Sequence, residues 1–324
     1  MKAWSAWGWV TAGSIFLINL IGFIDAETNS ALGCGSEWPL CNGRVVPDFS
    51  NPHVLIEWTH RMLVAVGATL AFVYLTWAWI RFRRVASVVR LAQVALAFIV
   101  IQSIMGALAV LFVNPPTILA LHLGFGLMAF GAAALLAVVM GQIEQERSGR
   151  PSGWSARGES LSPRVRLVAW GLWVYLYAAI YLGSYVAFRQ AGPACPTWPT
   201  CPVSWPPWNS AADLDMAHRL VAVGLLAAAA GVWIVIARRA AERIDLRRGV
   251  QWVMAFVLAQ ILSGAVLVWS HLALWAYTIH VGLLMGLFMA ISYLAWQTVG
   301  RSSDAVGAPM GRAAANPRAA PVRR

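Results

Sequence analysis

Charged residues are scarce in this sequence: they make up 11% of its 324 positions, roughly half of what a soluble domain carries. That scarcity excludes an ordinary soluble domain. Hydrophobic residues instead account for 60%, and they fall in runs of roughly 20, the length that crosses a bilayer core. Eight runs predict eight transmembrane helices, at about residues 8–25, 54–80, 89–113, 117–141, 165–188, 214–237, 249–269 and 273–298.

The start of the chain lacks two signals. No clear small-x-small cleavage site follows the first run, and no Arg- and Ser-rich presequence precedes it. We therefore interpret the first run as a retained helix rather than a secretory signal. We expect a multi-pass protein of a bacterial plasma membrane rather than a mitochondrial one.

Acidic residues are few, 13 against 24 basic ones, which gives a net charge of +11. Such an excess could suit nucleic acid, but most basic residues lie in every second connection and in the C-terminal tail, the positive-inside pattern. We therefore expect both termini in the cytoplasm, contacts with anionic membrane lipid and no nucleic-acid partner. The basic segments contain Arg81, Arg83, Arg84 and Arg90; Arg147, Arg150, Arg157, Arg164 and Arg166; Arg238, Arg239, Arg243, Arg247 and Arg248; and Arg301, Arg312, Arg318, Arg323 and Arg324.

Cysteine is rare as well, and all four cysteines lie in two long loops predicted to face the extracellular side, at about residues 26–53 and 189–213. Disulfides persist outside the cytoplasm, and the cysteines of each loop are near enough in sequence to close a small ring. We predict two disulfides, with free thiols as the alternative; a zinc site is not expected, because no ligand cluster accompanies the cysteines. The predicted pairs are Cys34–Cys41 and Cys195–Cys201.

Rare polar residues of the apolar runs recur at one offset. His60 and His218 lie 158 positions apart, and so do His122 and His280. Equal offsets among such residues indicate an internal repeat. Both copies begin and end on the inside, so the repeat is parallel, with a pseudo-two-fold axis along the membrane normal. The same offset joins Gln102 with Gln260 and Gly106 with Gly264.

The repeat predicts the domain organisation. We expect an all-α integral membrane protein, built from an N-terminal four-helix bundle over residues 1–141 and a C-terminal four-helix bundle over 165–298. An Arg-, Ser- and Gly-rich cytoplasmic linker over 142–164 joins them. A disordered cytoplasmic tail, rich in Ala, Pro and Arg, covers 299–324.

The four repeated histidines are candidate haem ligands, because polar side chains in membrane helices are costly and usually functional. His60 and His218 lie near the outer ends of helices 2 and 6, and His122 and His280 near those of helices 4 and 8. Each half can thus present two imidazoles across a bundle core, which suits a low-spin haem. A histidine bonded to a neighbouring carbonyl is the structural alternative. The histidines without a counterpart, interpreted as interfacial, are His53 and His271.

Charged residues beside the histidines offer further chemistry. Arg61 and Arg219 each follow a histidine and are candidate partners of haem propionates; the alternative is a pair of snorkelling interfacial arginines. Glu57 precedes His60 by one helical turn, where an acid could relay protons or stabilise positive charge. Its repeat mate is Asp215. The alternative is that both acids stabilise a helix N-terminus.

Together these motifs resemble the haem A synthase family, over roughly residues 8–298. One departure precedes the first loop cysteine, where many relatives carry Thr-Gly-Ser-Gly and this chain carries Thr-Asn-Ser-Ala-Leu-Gly over 28–33. The resemblance rests on the run Gly-Cys-Gly-Ser-Glu-Trp-Pro-Leu-Cys-Asn-Gly over 33–43, on Ile-Glu-Trp-Thr-His-Arg over 56–61, and on the later His122, His218 and His280.

The resemblance implies an oxidoreductase that converts the C8 methyl group of haem O into a formyl group, by successive hydroxylations and loss of water, and so supplies haem A to terminal oxidases. It implies that His60 and His122 bind the substrate haem O and that Glu57 is the catalytic acid. It also implies that His218 and His280 are the axial ligands of a resident haem b, so that all four histidines bind haem iron.

Two other functions stay open at this point. A non-enzymatic bis-histidine di-haem electron carrier would hold two haems of equal status without needing Glu57, and a haem assembly factor would form no formyl product. The sequence shows no flavin or nicotinamide motif and no iron–sulfur cysteine set, so the electron donor, the oxygen source and the oligomeric state, a homo-oligomer included, are left open. Haem O synthase is an expected partner, because haem O is poorly soluble and lipid-like.

Overall fold

The fold is all-α in the part of the chain that the structure, a computed structural model, describes: residues 3–36, 40–150, 152, 161–201 and 210–300. Eight helices of those residues are long and apolar enough to cross a membrane, which confirms the predicted fold class. They are α1 Ala3–Glu27, α2 Pro52–Arg81, α3 Ala86–Leu111, α4 Pro116–Arg147, α5 Pro163–Phe188, α6 Ala211–Arg239, α7 Ile244–Trp269 and α8 Leu274–Gln297.

The helix ends follow local chemistry. Asn51 caps α2 by accepting a hydrogen bond from the His53 amide, and a capping box of Ser210 and Asp213 begins α6. Pro116 and Pro163 occupy the first turns of α4 and α5, where no backbone donor is needed. The predicted disordered tail lies, from residue 301 onward, outside the described residues.

Helix α4 continues beyond its predicted end at residue 141, into the segment predicted to be a linker. The reason is a long-range contact. The Glu144 carboxylate accepts hydrogen bonds from the backbone amides of Trp4 and Ser5 and from the Ser5 hydroxyl. It therefore satisfies donors in the first turn of α1, and an anion is favourable at a helix N-terminus.

The helices of each half pack in a closed ring. In the first half α1 contacts α2 and α4, and α3 contacts α2 and α4; in the second, α5 contacts α6 and α8, and α7 contacts α6 and α8. Helix α4 also contacts α5 and α8, and α1 contacts α8, so α1 and α4 join the two rings. Each ring encloses an interior that can hold a cofactor.

Helix α4 is the most buried of the eight spans, and its small residues explain why. A Cβ added to Gly131 would lie 2.6 Å from Cε1 of Phe288 on α8, and one added to Gly8 of α1 would lie 2.9 Å from Ala137 of α4. Small residues at such crossings let helix backbones approach closely, which drives helix association in lipid.

Large apolar side chains also cover the outside of the helices. Ile104 on α3, Val223 on α6 and Leu262 on α7 are all exposed. A helix that is apolar on both faces suits a lipid environment, in which the backbone hydrogen bonds are satisfied within the helix. These features make the chain a multi-pass membrane protein.

Candidate functional site

Two of the four repeated histidines lie against a glycine of a neighbouring helix. A Cβ added to Gly22 of α1 would lie 2.7 Å from Cε1 of His60 on α2, and one added to Gly183 of α5 would lie 2.6 Å from Cε1 of His218 on α6. Only glycine leaves room for each ring at these distances. The imidazoles are therefore held against helix backbone.

The other two histidines repeat the contact in a looser form. A Cβ added to Gly106 of α3 would lie 3.1 Å from Cε1 of His122 on α4, and one added to Gly264 of α7 would lie 3.5 Å from Cε1 of His280 on α8. All four rings thus lie between two helices of their own half. The repeat predicted from the sequence extends to the surroundings of its histidines.

The sequence analysis missed Gly22 and Gly183. They are 161 positions apart, which differs from the offset of the histidines but equals that of Cys34 and Cys195. The first helix and the start of the first loop therefore repeat at their own offset, and a search at 161 would have found both glycines.

The structure brings the two histidines of the second half together, because His218 and His280 line one cavity. In the first half, His60 and His122 contact glycines of α1 and α3 within the same four-helix ring. His53 and His271, predicted to be interfacial, are exposed.

A backbone carbonyl fixes the orientation of the His122 ring. Its Nδ1 lies 3.0 Å from the Gln102 carbonyl oxygen, and because a carbonyl can only accept, Nδ1 carries the proton. The lone pair is then on Nε2, the nitrogen available to iron. Metal-bound histidines usually have such an outer partner on the second ring nitrogen.

In the second half the hydroxyl group of Ser263 lies between the histidine ring and the glutamine carbonyl. Nδ1 of His280 lies 2.8 Å from Oγ of Ser263, and Ser263 donates to the Gln260 carbonyl at 2.9 Å. Because the Ser263 hydroxyl donates its proton to the carbonyl, it accepts from Nδ1 of His280, which therefore carries the ring proton. The Gln260 amide nitrogen lies 3.0 Å from Nε2 of His280, which leaves that nitrogen as an acceptor.

The second-half cavity fits a haem held by two imidazoles. Besides His218 and His280, its lining includes Arg219 and an otherwise mostly apolar set. A macrocycle with apolar faces and charged propionates matches that combination. Apolar lining residues from each helix of this half include Leu176, Ala222, Val257 and Leu284.

Glu57 and Arg61 join the first cysteine loop to α2. The Glu57 side chain is 3% exposed; its Oε2 accepts from the Cys34 amide at 2.6 Å and its Oε1 from Arg61 at 2.6 Å. Arg61 also donates to the carbonyls of Gly35 and Leu40. We call this set of contacts the first loop clamp.

The second half has an equivalent clamp. Arg219 pairs with Asp215 at 2.7 Å and donates to the carbonyls of Cys195, Thr197 and Pro199. In both halves an arginine directly after a histidine therefore fastens a loop with its donors. The predicted propionate contacts of Arg61 and Arg219 stay a prediction, and Arg219 is placed for one because it also lines the cavity.

Both predicted disulfides are present, Cys34–Cys41 and Cys195–Cys201, so the cysteines are not free thiols.

The segment before Cys34, which departs from the Thr-Gly-Ser-Gly pattern, follows the end of α1 with a left-handed residue. Asn29 adopts φ 54°, in the left-handed region that asparagine enters more often than most other non-glycine residues. The Ser30 hydroxyl lies 2.8 Å from Nδ1 of His53.

The close glycine contacts predict a selective loss of haem. We expect Gly22→Ala to displace His60 and Gly183→Ala to displace His218, each lowering by more than half the haem bound in its own half, because the added Cβ overlaps the ring. Gly13→Ala on α1 and Gly171→Ala on α5 are matched controls, since nothing lies within 4 Å of either added Cβ. Haem content per purified protein measures the effect; equal content in all four variants would contradict it.

Comparison with known proteins identifies the family of this chain. Residues 48–292 match the family model described as COX15-CtaA, cytochrome oxidase assembly protein. A protein of Symbiobacterium thermophilum named heme A synthase is 36% identical over 95% of this chain and 100% of its own length. A second protein of that name, from Geobacillus kaustophilus, is 32% identical over 88% of each chain. The chain therefore belongs to the COX15-CtaA family of cytochrome oxidase assembly proteins.

Proposed function

We propose that this chain is a haem A synthase that oxidises the C8 methyl group of haem O to a formyl group. The observation that carries the proposal is its nearly full-length likeness to proteins named heme A synthase. The geometry supports it, because each half holds two imidazoles on different helices in positions suited to haem.

The two halves have different tasks in this proposal. His60 and His122 bind the iron of the substrate haem O, and His218 and His280 bind a resident haem b that passes electrons. The ring surroundings differ in a way that supports unequal tasks: His280 is linked to Gln260 through Ser263, whereas the corresponding residue in the first half is Met105, which has no hydroxyl.

The reaction removes electrons from a methyl group in two stages. The first hydroxylation gives an alcohol, the second gives a carbon with two hydroxyl groups, and loss of one water leaves the formyl group. When bound, haem would supply the redox-active iron for this oxidation. The electrons removed and the oxygen atom gained require an external oxidant such as dioxygen. The protein holds the iron ligands in place, excludes water and keeps an acid near the site.

Glu57 is the proposed catalytic acid. It lies one turn before His60 on α2, and Arg61 and the Cys34 amide hold its two oxygens. A carboxylate fixed in this way can stabilise positive charge or accept a proton near the substrate. Its fastening of the loop is a separate, structural role, and an experiment on Glu57 has to separate the two.

The substrate sets the cellular context. Haem O is an apolar membrane-soluble molecule, so transfer from haem O synthase within the membrane is the proposed supply route. We place the chain in a bacterial plasma membrane, with both termini in the cytoplasm and the cysteine loops outside, because basic residues are concentrated in the alternate connections.

Removal of Glu57 should abolish haem A formation. In cells that make haem O, we expect Glu57→Ala to reduce the haem A found by reversed-phase chromatography at least about a hundredfold, the usual contribution of a proton-transferring group. Asp215→Ala is the matched control, because it also removes the acid that pairs with the arginine of a loop clamp. Its haem A yield should stay within about tenfold of that of the unsubstituted chain.

Two results would contradict this account of Glu57 and of the function. Equal losses in Glu57→Ala and Asp215→Ala would assign Glu57 to loop fastening alone. Haem O that persists in cells carrying the unsubstituted chain would overturn the synthase itself.

The proposed orientation predicts which cysteines an impermeant thiol reagent can reach. In intact cells we expect labelling of the native loops only after reduction of the two disulfides. Ser148, exposed just after α4, gives the control: Ser148→Cys in a chain otherwise free of cysteine should react only after the membrane is broken. The reverse pattern would invert the topology.

A further inference from the structure

The two halves differ in side-chain chemistry about one helical turn from the first-half histidines. Asn19 lies three residues before Gly22 on α1, on the face that meets His60. Gln102 on α3 is the residue whose carbonyl orients His122. Gly126 lies one turn after His122 on α4. These three residues, which we call the amide cluster, adjoin the proposed substrate site.

The amide side chains converge on one point of α4. A Cβ added to Gly126 would meet Oδ1 of Asn19 and would lie 2.6 Å from Oε1 of Gln102. Gly126 thus leaves the room that both amides occupy. Asn19 is 7% exposed, so this is a polar group inside a membrane bundle, which is costly unless it binds something.

Each amide has a hydrogen-bonding atom without a partner. Nδ2 of Asn19 and Oε1 of Gln102 are buried and bond to nothing within the described parts of the chain. One is a donor and the other an acceptor. A hydroxyl group accepts from the first and donates to the second, so an alcohol satisfies both.

The second half lacks the cluster. At the repeat offsets, Ile180 stands in place of Asn19 and Leu284 in place of Gly126, and both line the cavity of the second-half histidines. Only Gln260 keeps an amide there, and its nitrogen lies against His280. The amide cluster therefore belongs to the half that is proposed to bind the substrate.

We propose that Asn19 and Gln102 bind a hydroxyl group of the substrate haem and so position the macrocycle in the first half. This inference rests on the proposed function. The hydroxyl is either the alcohol that the first oxidation creates at C8 or one already present on the haem O side chain. A site that recognises an alcohol would hold the half-oxidised molecule until the second oxidation.

Haem affinity tests the proposal without relying on turnover. The purified protein with its second-half haem in place is titrated with haem b, with haem O and with the C8 alcohol of haem O, and binding is followed by absorption. Asn19→Leu and Gln102→Met remove the amides at nearly constant shape. Each should weaken binding of the alcohol on the order of tenfold, the loss expected for a buried hydrogen bond, and leave haem b unchanged.

Haem O distinguishes the two sources of the hydroxyl group. If the amides bind the newly formed alcohol, only the C8 alcohol loses affinity; if they bind a side-chain hydroxyl, haem O loses affinity as well. Gln142→Met is the matched control. Gln142 is another buried glutamine with an unpartnered oxygen, but it lies near the opposite end of α4, and its variant should bind all three haems normally.

Unchanged affinities in both amide variants, an effect confined to one of them, or an equal loss for haem b would overturn the proposal. Undiminished absorption of the second-half haem shows in each case that the variant is folded. Failure of the proposed function is separate, because it would appear as absence of haem A with the unsubstituted protein.

Discussion

The contact between an imidazole and a glycine on the neighbouring helix determines where each of the four repeated histidines can lie. At Gly22 and Gly183 the ring occupies the volume of a side chain, so the two helices cannot cross in this way with any other residue there. The pairs within each half, and the cavity around His218 and His280, depend on these approaches. Close packing of the helices and placement of the histidines therefore depend on the same contacts.

The loop clamps extend that constraint to the two loops that carry the disulfides. Arg61 and Arg219 each follow a histidine, and each connects an acid of the same helix to carbonyls of a disulfide-tied loop. A buried acid–arginine pair adds little net stability, but loss of one partner leaves an uncompensated charge. The position of each loop is therefore linked to the helix that carries the leading histidine.

Composition and repetition predicted much of this protein. Long apolar runs predicted the helices, and equal offsets predicted the histidine pairs, because both signals lie in the chain itself. The glycines opposite His60 and His218 could not be found from that offset, and the extension of α4 depends on Glu144 reaching Ser5, far away in sequence. Arg61 and Arg219 were predicted to bind propionates because a guanidinium matches a carboxylate. Their bonds to loop carbonyls could not be predicted, because backbone carbonyls carry no sequence signal.

Each half of the protein is proposed to hold one haem between its two histidines. Low-temperature electron paramagnetic resonance of the oxidised protein, with both sites filled, tests it most directly. Two low-spin bis-imidazole signals are predicted, of which His122→Leu removes one and His280→Leu the other. A high-spin signal in the unsubstituted protein, or two unchanged signals in either variant, would contradict the claim.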